Sequence, residues 1–292
     1  AEPSPRDSMP AIAWAAAVIA ARDPEAVIGS FHADHVITGV AGLHSAVAEA
    51  VALARTGLLV TIGITPTYAA TGFGYIREGM PLRVAGAPSG RAVVEFVEKP
   101  DAERAAAYLA SGEFWWNAGM FVVKARVLLD LVARWQPAIA EGVRALAAQP
   151  ERLEGGWPTL TKIAIDHAVA EPAAAAGFVA VVPATFGWDD IGDFASLAGL
   201  LAGQRVADRA GAVGEPGQTS TVEVLGPAGD VVPVDSTGLV VAGSGRLVAL
   251  VGVTDLVVVD TPDALLVLPR DRAQEVKGIV DRLSSLGRDD LR

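Results

Sequence analysis

Thr185-Phe186-Gly187-Trp188-Asp189-Asp190-Ile191-Gly192-Asp193 sits between two segments of different patterning. Before it, Phe178 to Pro183 is an apolar run that reads as a buried strand; after it, Phe194 to Leu201 reads as a helix. A carboxylate pair on a Gly-bounded turn at the carboxyl end of a strand lies where α/β sheets place their ligands. A second such place is upstream, where the strand Ala26 to Phe31 runs into Ala33-Asp34-His35. Two strand-end aspartates able to converge on one divalent cation point to phosphate chemistry on a nucleotide.

Outward from these turns, strands and helices alternate. Met9 to Arg22 is a helix candidate, with Asp7 or Ser8 as cap and Asp23-Pro24 as its stop. Ala41 to Arg55 is a helix closed by Gly57, and Leu58 to Ile64 is a strand. Val93 to Val97 is a strand, Asp101 to Leu109 a helix ended by Gly112, and Met120 to Val123 a short strand. Three helical segments follow around Val127 to Ala133, Ala138 to Ala148 and Thr161 to Val169. The alternation predicts an α/β domain with a mixed, mostly parallel sheet. Segment 203–230 is rich in Gly, Pro, Ser and Thr and reads as a linker or irregular region. Short apolar runs then recur at Val231, Leu239, Leu247, Leu256 and Leu265, which predicts a small β domain or solenoid. An amphipathic helix over Asp271 to Leu286 is expected last. The expected domains are therefore 1–203 and 204–292.

Composition narrows the chemistry. Of 292 residues, 51% are hydrophobic, enough for a large core. A net charge of -11 argues against a nucleic-acid surface, because phosphate backbones need a basic face. With no cysteine there is no disulfide or thiolate metal site, and the expected location is the cytoplasm. No apolar run is long and clean enough to span a bilayer, and Ala1 to Arg6 lacks the pattern of a signal peptide.

Several further segments carry a resemblance. They include Glu2-Pro3 through Pro10-Ala11, Ala33 to Ile37, Thr61-Ile62-Gly63-Ile64-Thr65-Pro66, Thr71-Gly72-Phe73-Gly74-Tyr75-Ile76, Phe96-Val97-Glu98-Lys99-Pro100, Trp116 to Phe121, Ile165 to Val169 and Phe186 to Gly192. Val257 to Ala264 adds a match near the C-terminus. Together, and in this order, they resemble the mannose-1-phosphate guanylyltransferases, sugar nucleotidyltransferases. The resemblance implies a Rossmann-like nucleotide-diphospho-sugar transferase domain and a short, left-handed β-helix-like C-terminal domain. It implies synthesis of GDP-mannose and pyrophosphate from GTP and mannose 1-phosphate with Mg²⁺, in a homodimer. Another hexose 1-phosphate or nucleoside triphosphate is the alternative within this class; a catalytically silent sugar-nucleotide binding protein is the alternative outside it.

The resemblance also assigns residues. Asp34 and Asp190 hold the metal; an isolated Asp34 would otherwise read as an Asx turn. The W-x-D-x-G pattern selects Asp190 over Asp189, and Asp193 reads as a helix cap. Glu98 accepts sugar hydroxyls and Lys99 supplies a point charge for the sugar phosphate, where an exposed ion pair is the ordinary reading. Asn117 can both donate to and accept from a sugar, or be a loop turn; Trp115 and Trp116 read as core. Gly72 contacts the sugar, with Tyr75 beside it, or both belong to a tight hairpin. Glu2 is the candidate for the guanine N–H groups, with Ser8 second, although Asp7 and Ser8 also read as helix caps. Lys162 and Asp166 are one helical turn apart, and the resemblance makes Asp166 a pocket residue. The family's opening glycine-rich loop with its Arg and Lys has no counterpart here. About a hundred N-terminal residues are expected to precede Ala1, and the chain as given is expected to be inactive without them. His35 is not needed as a base, because phosphate nucleophiles are already ionised at neutral pH.

Overall fold

The computed structural model describes residues 2–209 and 221–291. They form two compact units, Ala1–Trp188 and Asp189–Arg292. The first unit opens with α1 (Ser8–Ala20), β1 (Val27–Ser30), β2 (Val36–Thr38), α2 (Val40–Ala54) and β3 (Leu59–Ile64). It continues through β4 (Gly74–Pro81), β5 (Arg91–Val97), α3 (Ala102–Ser111) and β6 (Phe114–Lys124). Helices α4 (Ala125–Trp135), α5 (Pro137–Ala148) and α6 (Leu153–Gly156) follow. A π-helical turn, Asp166–Ala170, leads into α7 (Glu171–Ala175), β7 (Val179–Ala184) and β8 (Gly187–Asp189).

Six of these strands form one sheet in the order β1-β6-β3-β7-β5-β4, and β4 also pairs with β6. Strand β6 is long enough to meet three partners. Its first residues pair with β4, its middle with β3 and its end with β1, all antiparallel. Within this sheet only β3–β7 is parallel among the described pairings. The α/β class and the mixed sheet hold, but the expectation of a mostly parallel sheet is corrected. Parallel neighbours need a long crossover, and β4, β5 and β6 run back on one another instead.

Both faces of the sheet are covered. On one, Leu59, Ile76, Phe96, Phe121 and Val123 pack with α1, α4, α5 and the π turn around Trp157. On the other, Val60, Ile62, Tyr75, Trp116, Met120 and Val182 pack with α2 and α3. Alternate residues of β3, β4 and β6 therefore enter different cores, as the period of two requires.

Four local expectations change. Asp7 has φ 56° and its side chain does not cap α1; the Ser8 hydroxyl instead accepts from the Ile165 N–H at 2.9 Å. The strand expected at Met120 to Val123 spans Phe114–Lys124, and β4 was not anticipated. Residues 161–164 form no helix, so Lys162 does not share a helix face with Asp166 and lies 4.0 Å from Asp7. Asp101, expected as the first residue of a helix, instead caps α3, accepting from the Arg104 N–H at 2.8 Å.

The second unit contains α8 (Phe194–Arg209), β9 (Thr221–Leu225), β10 (Val231–Val234), β11 (Thr237–Ala242) and β12 (Val248–Val251). Then come β13 (Leu256–Asp260), β14 (Leu265–Pro269) and α9 (Val276–Ser285). Asp193 caps α8 by accepting from the Ser196 N–H at 2.9 Å. Strands β9, β11 and β13 stack in parallel, as do β10 and β12, and β14 closes the stack antiparallel. This is the coiled β domain expected from the short apolar runs. The region read as a linker contains β9, and its residues 210–220 lie outside the described part. The terminal helix is split, Arg270–Glu275 being 3-10.

Stacked coils bring backbone against backbone. Gly238 sits at φ 148°, and a Cβ there would collide with the Leu256 carbonyl oxygen of the next coil. Gly238→Ala should cost the second unit about 3 kcal/mol through strain and overpacking, read as a lower midpoint in denaturant unfolding of that unit.

Candidate active site

The first-unit site grows from strand alternation. On β3, Thr61 faces the same way as Leu59; on β6, Asn117 faces the same way as Phe121. Both point toward the π turn. The Thr61 hydroxyl donates to Asn117 Oδ1 at 2.7 Å, and the Gly119 N–H donates to the same oxygen at 3.2 Å. With its carbonyl oxygen held, the Asn117 amide nitrogen donates to Asp166 Oδ1 at 2.9 Å. Asn117 is thus a strand residue with an assigned amide orientation, not a loop turn.

The π turn has a local cause. Pro172 carries no N–H for the Ala168 carbonyl, so the regular helical ladder fails there. The backbone widens instead, and the Glu171 N–H bonds the Asp166 carbonyl. This turn carries Asp166 to Asn117.

Strand β5 ends beside it. Glu98 and Lys99 form an ion pair at 3.0 Å, with the Glu98 side chain only 9% exposed and the Lys99 ammonium reaching solvent. Lys99 adopts φ 48°, an uncommon conformation for a non-glycine residue. Gly74 makes room for the acid: a Cβ there would come within 2.5 Å of Glu98 Oε2 and 3.2 Å of Asn117 Cβ. Glu98, Asn117, Asp166 and the Gly74 backbone therefore share one wall.

Burial, and next the charge of Asp166, push the Glu98 carboxyl above its ordinary range. Burial does the same to Asp166. A hydrogen bond to Glu171 raises the His167 imidazole. Two acids beside one amide and one ammonium can recognise a polyhydroxyl compound that also carries a negative charge.

An aromatic patch lies on the opposite sheet face, with the core that holds Tyr75. Phe73 lies edge-on to Trp116 at 5.1 Å and to Trp188 at 5.2 Å, and Tyr68 contacts Trp116 at 4.9 Å. The Trp188 indole N–H donates to His35 Nδ1 at 3.0 Å, which places the His35 proton on Nε2. The His35 ring lies tilted against that of His32, with centroids 4.5 Å apart.

Other sequence-derived candidates lie as follows. Asp34 is exposed in the bend between β1 and β2. Asp190 belongs to the second unit, where its Oδ1 accepts from the Gly192 N–H at 3.0 Å while Asp189 Oδ1 accepts from Ile191 at 2.7 Å. Gly72 lies in the bend before β4. Glu2 is exposed, and Ser8 is engaged with Ile165. Tyr75 requires correction: its side chain is fully buried beside Tyr108 and Phe114, on the sheet face opposite Gly74 and Asn117. Its neighbour Gly74 faces the wall instead. Trp116 packs in the core as expected, and the Trp115 indole donates to Glu78 at 2.8 Å. Sequence reading passed over Thr61, Gly74, His167 and Glu171; of these, only Thr61, Gly74 and His167 stood in quoted motifs.

Residues 1–203 match the model of the nucleotidyl transferase family. The chain belongs to that family. Residues 229–283 match a second model, the mannose phosphate isomerase/GMP-like β-helix domain, in agreement with the coils of the second unit. The chain is 39% identical over 296 aligned residues to the xanthan biosynthesis protein XanB of Xanthomonas campestris, covering 98% of this chain and 57% of XanB. It is 35% identical to an Escherichia coli mannose-1-phosphate guanylyltransferase, covering 100% of this chain and 59% of that protein. The chain thus spans a little over half the length of these relatives. A solved Thermus thermophilus structure named as a mannose-1-phosphate geranyltransferase superposes with a TM-score of 0.77 at 32% identity, covering 97% of this chain and 77% of that one. The resemblance seen in the motifs is therefore to this nucleotidyltransferase family.

Two outcomes test the wall. Thr61→Val leaves the Asn117 carbonyl without its side-chain donor in a buried setting, and should cost about 1–2 kcal/mol in denaturant unfolding. For pH, a carboxyl raised in the folded state binds protons that the unfolded chain has already lost. Stability should then fall as pH rises from the ordinary carboxylate range through the raised values of Glu98 and Asp166. Asp166→Asn should flatten that fall, as measured by melting temperature against pH.

Proposed function

We propose that this nucleotidyltransferase domain makes GDP-mannose and pyrophosphate from GTP and mannose 1-phosphate, with Mg²⁺, in the cytoplasm. The observation that carries the sugar end is the Glu98–Lys99 pair set against the Asn117–Asp166 hydrogen bond. Mannose 1-phosphate needs acceptors for its hydroxyls and a cation for its phosphate. Glu98 and Asp166 serve the first role, the Asn117 carbonyl side being already occupied, and Lys99 serves the second. The names of the relatives support the choice of sugar and nucleotide.

In this reading an oxygen of the sugar phosphate attacks the α-phosphorus of GTP. One P–O bond forms, the bond from the α-phosphorus to the bridging oxygen breaks, and pyrophosphate leaves with the electron pair. No general base is required, since the nucleophile is already ionised. The work is positioning and charge neutralisation.

The motif resemblance assigns the magnesium to the carboxylates of Asp34 and Asp190. Their donors are hard carboxylate oxygens, which suit that ion. Among the described residues no group of three or more metal-ligating side chains gathers. A site of one or two carboxylates completed by phosphate and water is the usual arrangement for magnesium, so the donor set fits. When bound, the ion supplies neutralisation of phosphate charge. Glu2 would meet the guanine N–H groups. Gly72 would let the backbone approach the sugar.

A homodimer completes the reading. Val232, Val234 and Val251 are 47%, 49% and 71% exposed on the paired strands β10 and β12. Such a surface can be covered by a second copy.

In the full-length protein, Asp34→Ala and Asp190→Ala should each lower turnover at least about a hundredfold with little change in melting temperature. Lys99→Ala should raise KM for mannose 1-phosphate by about tenfold or more. Parallel assays with UTP, dTTP and other hexose 1-phosphates provide the check on identity. A clear preference for any of them would replace the assignment, and wild-type turnover in both aspartate variants would remove the metal site.

A further inference from the structure

Behind the Glu98–Lys99 pair stands a carboxylate that no step above uses. Glu171, the first residue of α7, is oriented toward the end of β5. Its Oε1 accepts from the Glu98 backbone N–H at 3.1 Å, and its Oε2 meets His167 Nδ1 at 3.0 Å. One carboxylate thus bridges the strand end and the π turn. The strand end is where it matters: the next residue, Lys99, is held at φ 48°, and the Lys99 N–H is bonded to the Phe73 carbonyl at 3.2 Å. A conformation that costs free energy persists only where its neighbours hold it.

We propose that Glu171, steadied by His167, is a positioning residue that sets the backbone of Glu98 and Lys99 and so aims both side chains at the sugar phosphate. The inference rests on the reading of Glu98 and Lys99 given under Proposed function. Neither Glu171 nor His167 touches the substrate in this account. Glu171 acts through the peptide of Glu98.

The charges around the bridge explain the pairing. Three carboxylates, Glu98, Asp166 and Glu171, crowd around His167. Lys99 faces Glu98 and Asp166 from the end of β5. Helix α4 packs beside the same turn. Its charged residues have partners elsewhere: Arg126 pairs with Glu25, Asp130 lies 4.0 Å from Arg144, and Arg134 covers Trp135 and Phe178. His167 is thus the cation in direct contact with Glu171. The Glu171 bond and the surrounding acids raise its affinity for a proton. The imidazolium–carboxylate contact is therefore present at low pH and is lost as pH rises through the raised His167 value, above the ordinary 6.5.

The test compares Glu171→Ala, Glu171→Gln and His167→Gln in the full-length protein. Two readouts are used: calorimetric titration with mannose 1-phosphate across pH, and hydrogen exchange at the Glu98 amide. Glu171→Ala should weaken mannose 1-phosphate binding about tenfold, the scale of one lost charge-assisted hydrogen bond, and speed exchange at the Glu98 amide. Glu171→Gln keeps an acceptor for that amide and should recover most of the affinity. His167→Gln should remove the part of the pH dependence that lies above the ordinary imidazole value. A merely structural Glu171 would lower the melting temperature while leaving affinity and its pH profile at wild-type values, and that result overturns the proposal. If wild-type protein fails to bind mannose 1-phosphate, the sugar assignment falls. Unchanged exchange at the Glu98 amide in Glu171→Ala would overturn the positioning role whichever sugar binds.

Discussion

The hydrogen bond from the Asn117 amide to Asp166 joins two parts of the first unit that have no other reason to align their polar groups. One is the middle of the longest strand, whose partners on either side fix its register. The other is a π turn produced by a proline at the start of α7. The amide can bridge them only because Thr61 and the Gly119 N–H occupy its carbonyl oxygen and so determine which end faces the acid. Each group in the chain is satisfied by the next, as buried polar atoms require. Without that chain, Asp166 would be a desolvated acid with fewer donors, and the wall beside Glu98 would not be a surface of defined polarity.

Electrostatics at this wall is a compromise between function and stability. Burial disfavours the ionised forms of Glu98 and Asp166, the charge of Asp166 adds to the effect on Glu98, and Lys99 opposes it at both. A fold selected for stability alone would place apolar groups here. Under the proposed function the acids receive sugar hydroxyls and the lysine a phosphate, and the ligand supplies their polar partners. The nucleotidyl transferase match over residues 1–203 agrees with such chemistry.

Much of this was legible beforehand. Glu98-Lys99-Pro100 was recognisable as the end of a strand, and Asp166 stood in one of the quoted motifs. Asp193 was recognisable as a cap because a cap is a local event. The short apolar runs after Val231 matched strands β10 to β14 because turn residues separate them sharply. What failed depended on partners distant in sequence. Asp7 would cap α1 by local rules, but Ser8 is taken by Ile165, more than a hundred and fifty residues away, and Asp7 turns outward. The apolar alternation of β4 is interrupted by glycines, charge and proline, so its pairing with β5 and β6 has no simple signal. Tyr75 and Gly74 are adjacent in a motif, yet a strand sends them to opposite faces, and only the sheet shows that the wall lies on the Gly74 side.

Sequence alone determined the α/β class and the small coiled β domain, because these follow from hydrophobic period and turn chemistry; the order of the motifs pointed to the nucleotidyl transferase family. The direction of the strands, the amide orientation of Asn117 and the bridge made by Glu171 were decided by the tertiary structure. Each depends on which of several possible long-range partners a group reaches, and hydrogen-bond capacity by itself does not choose among them.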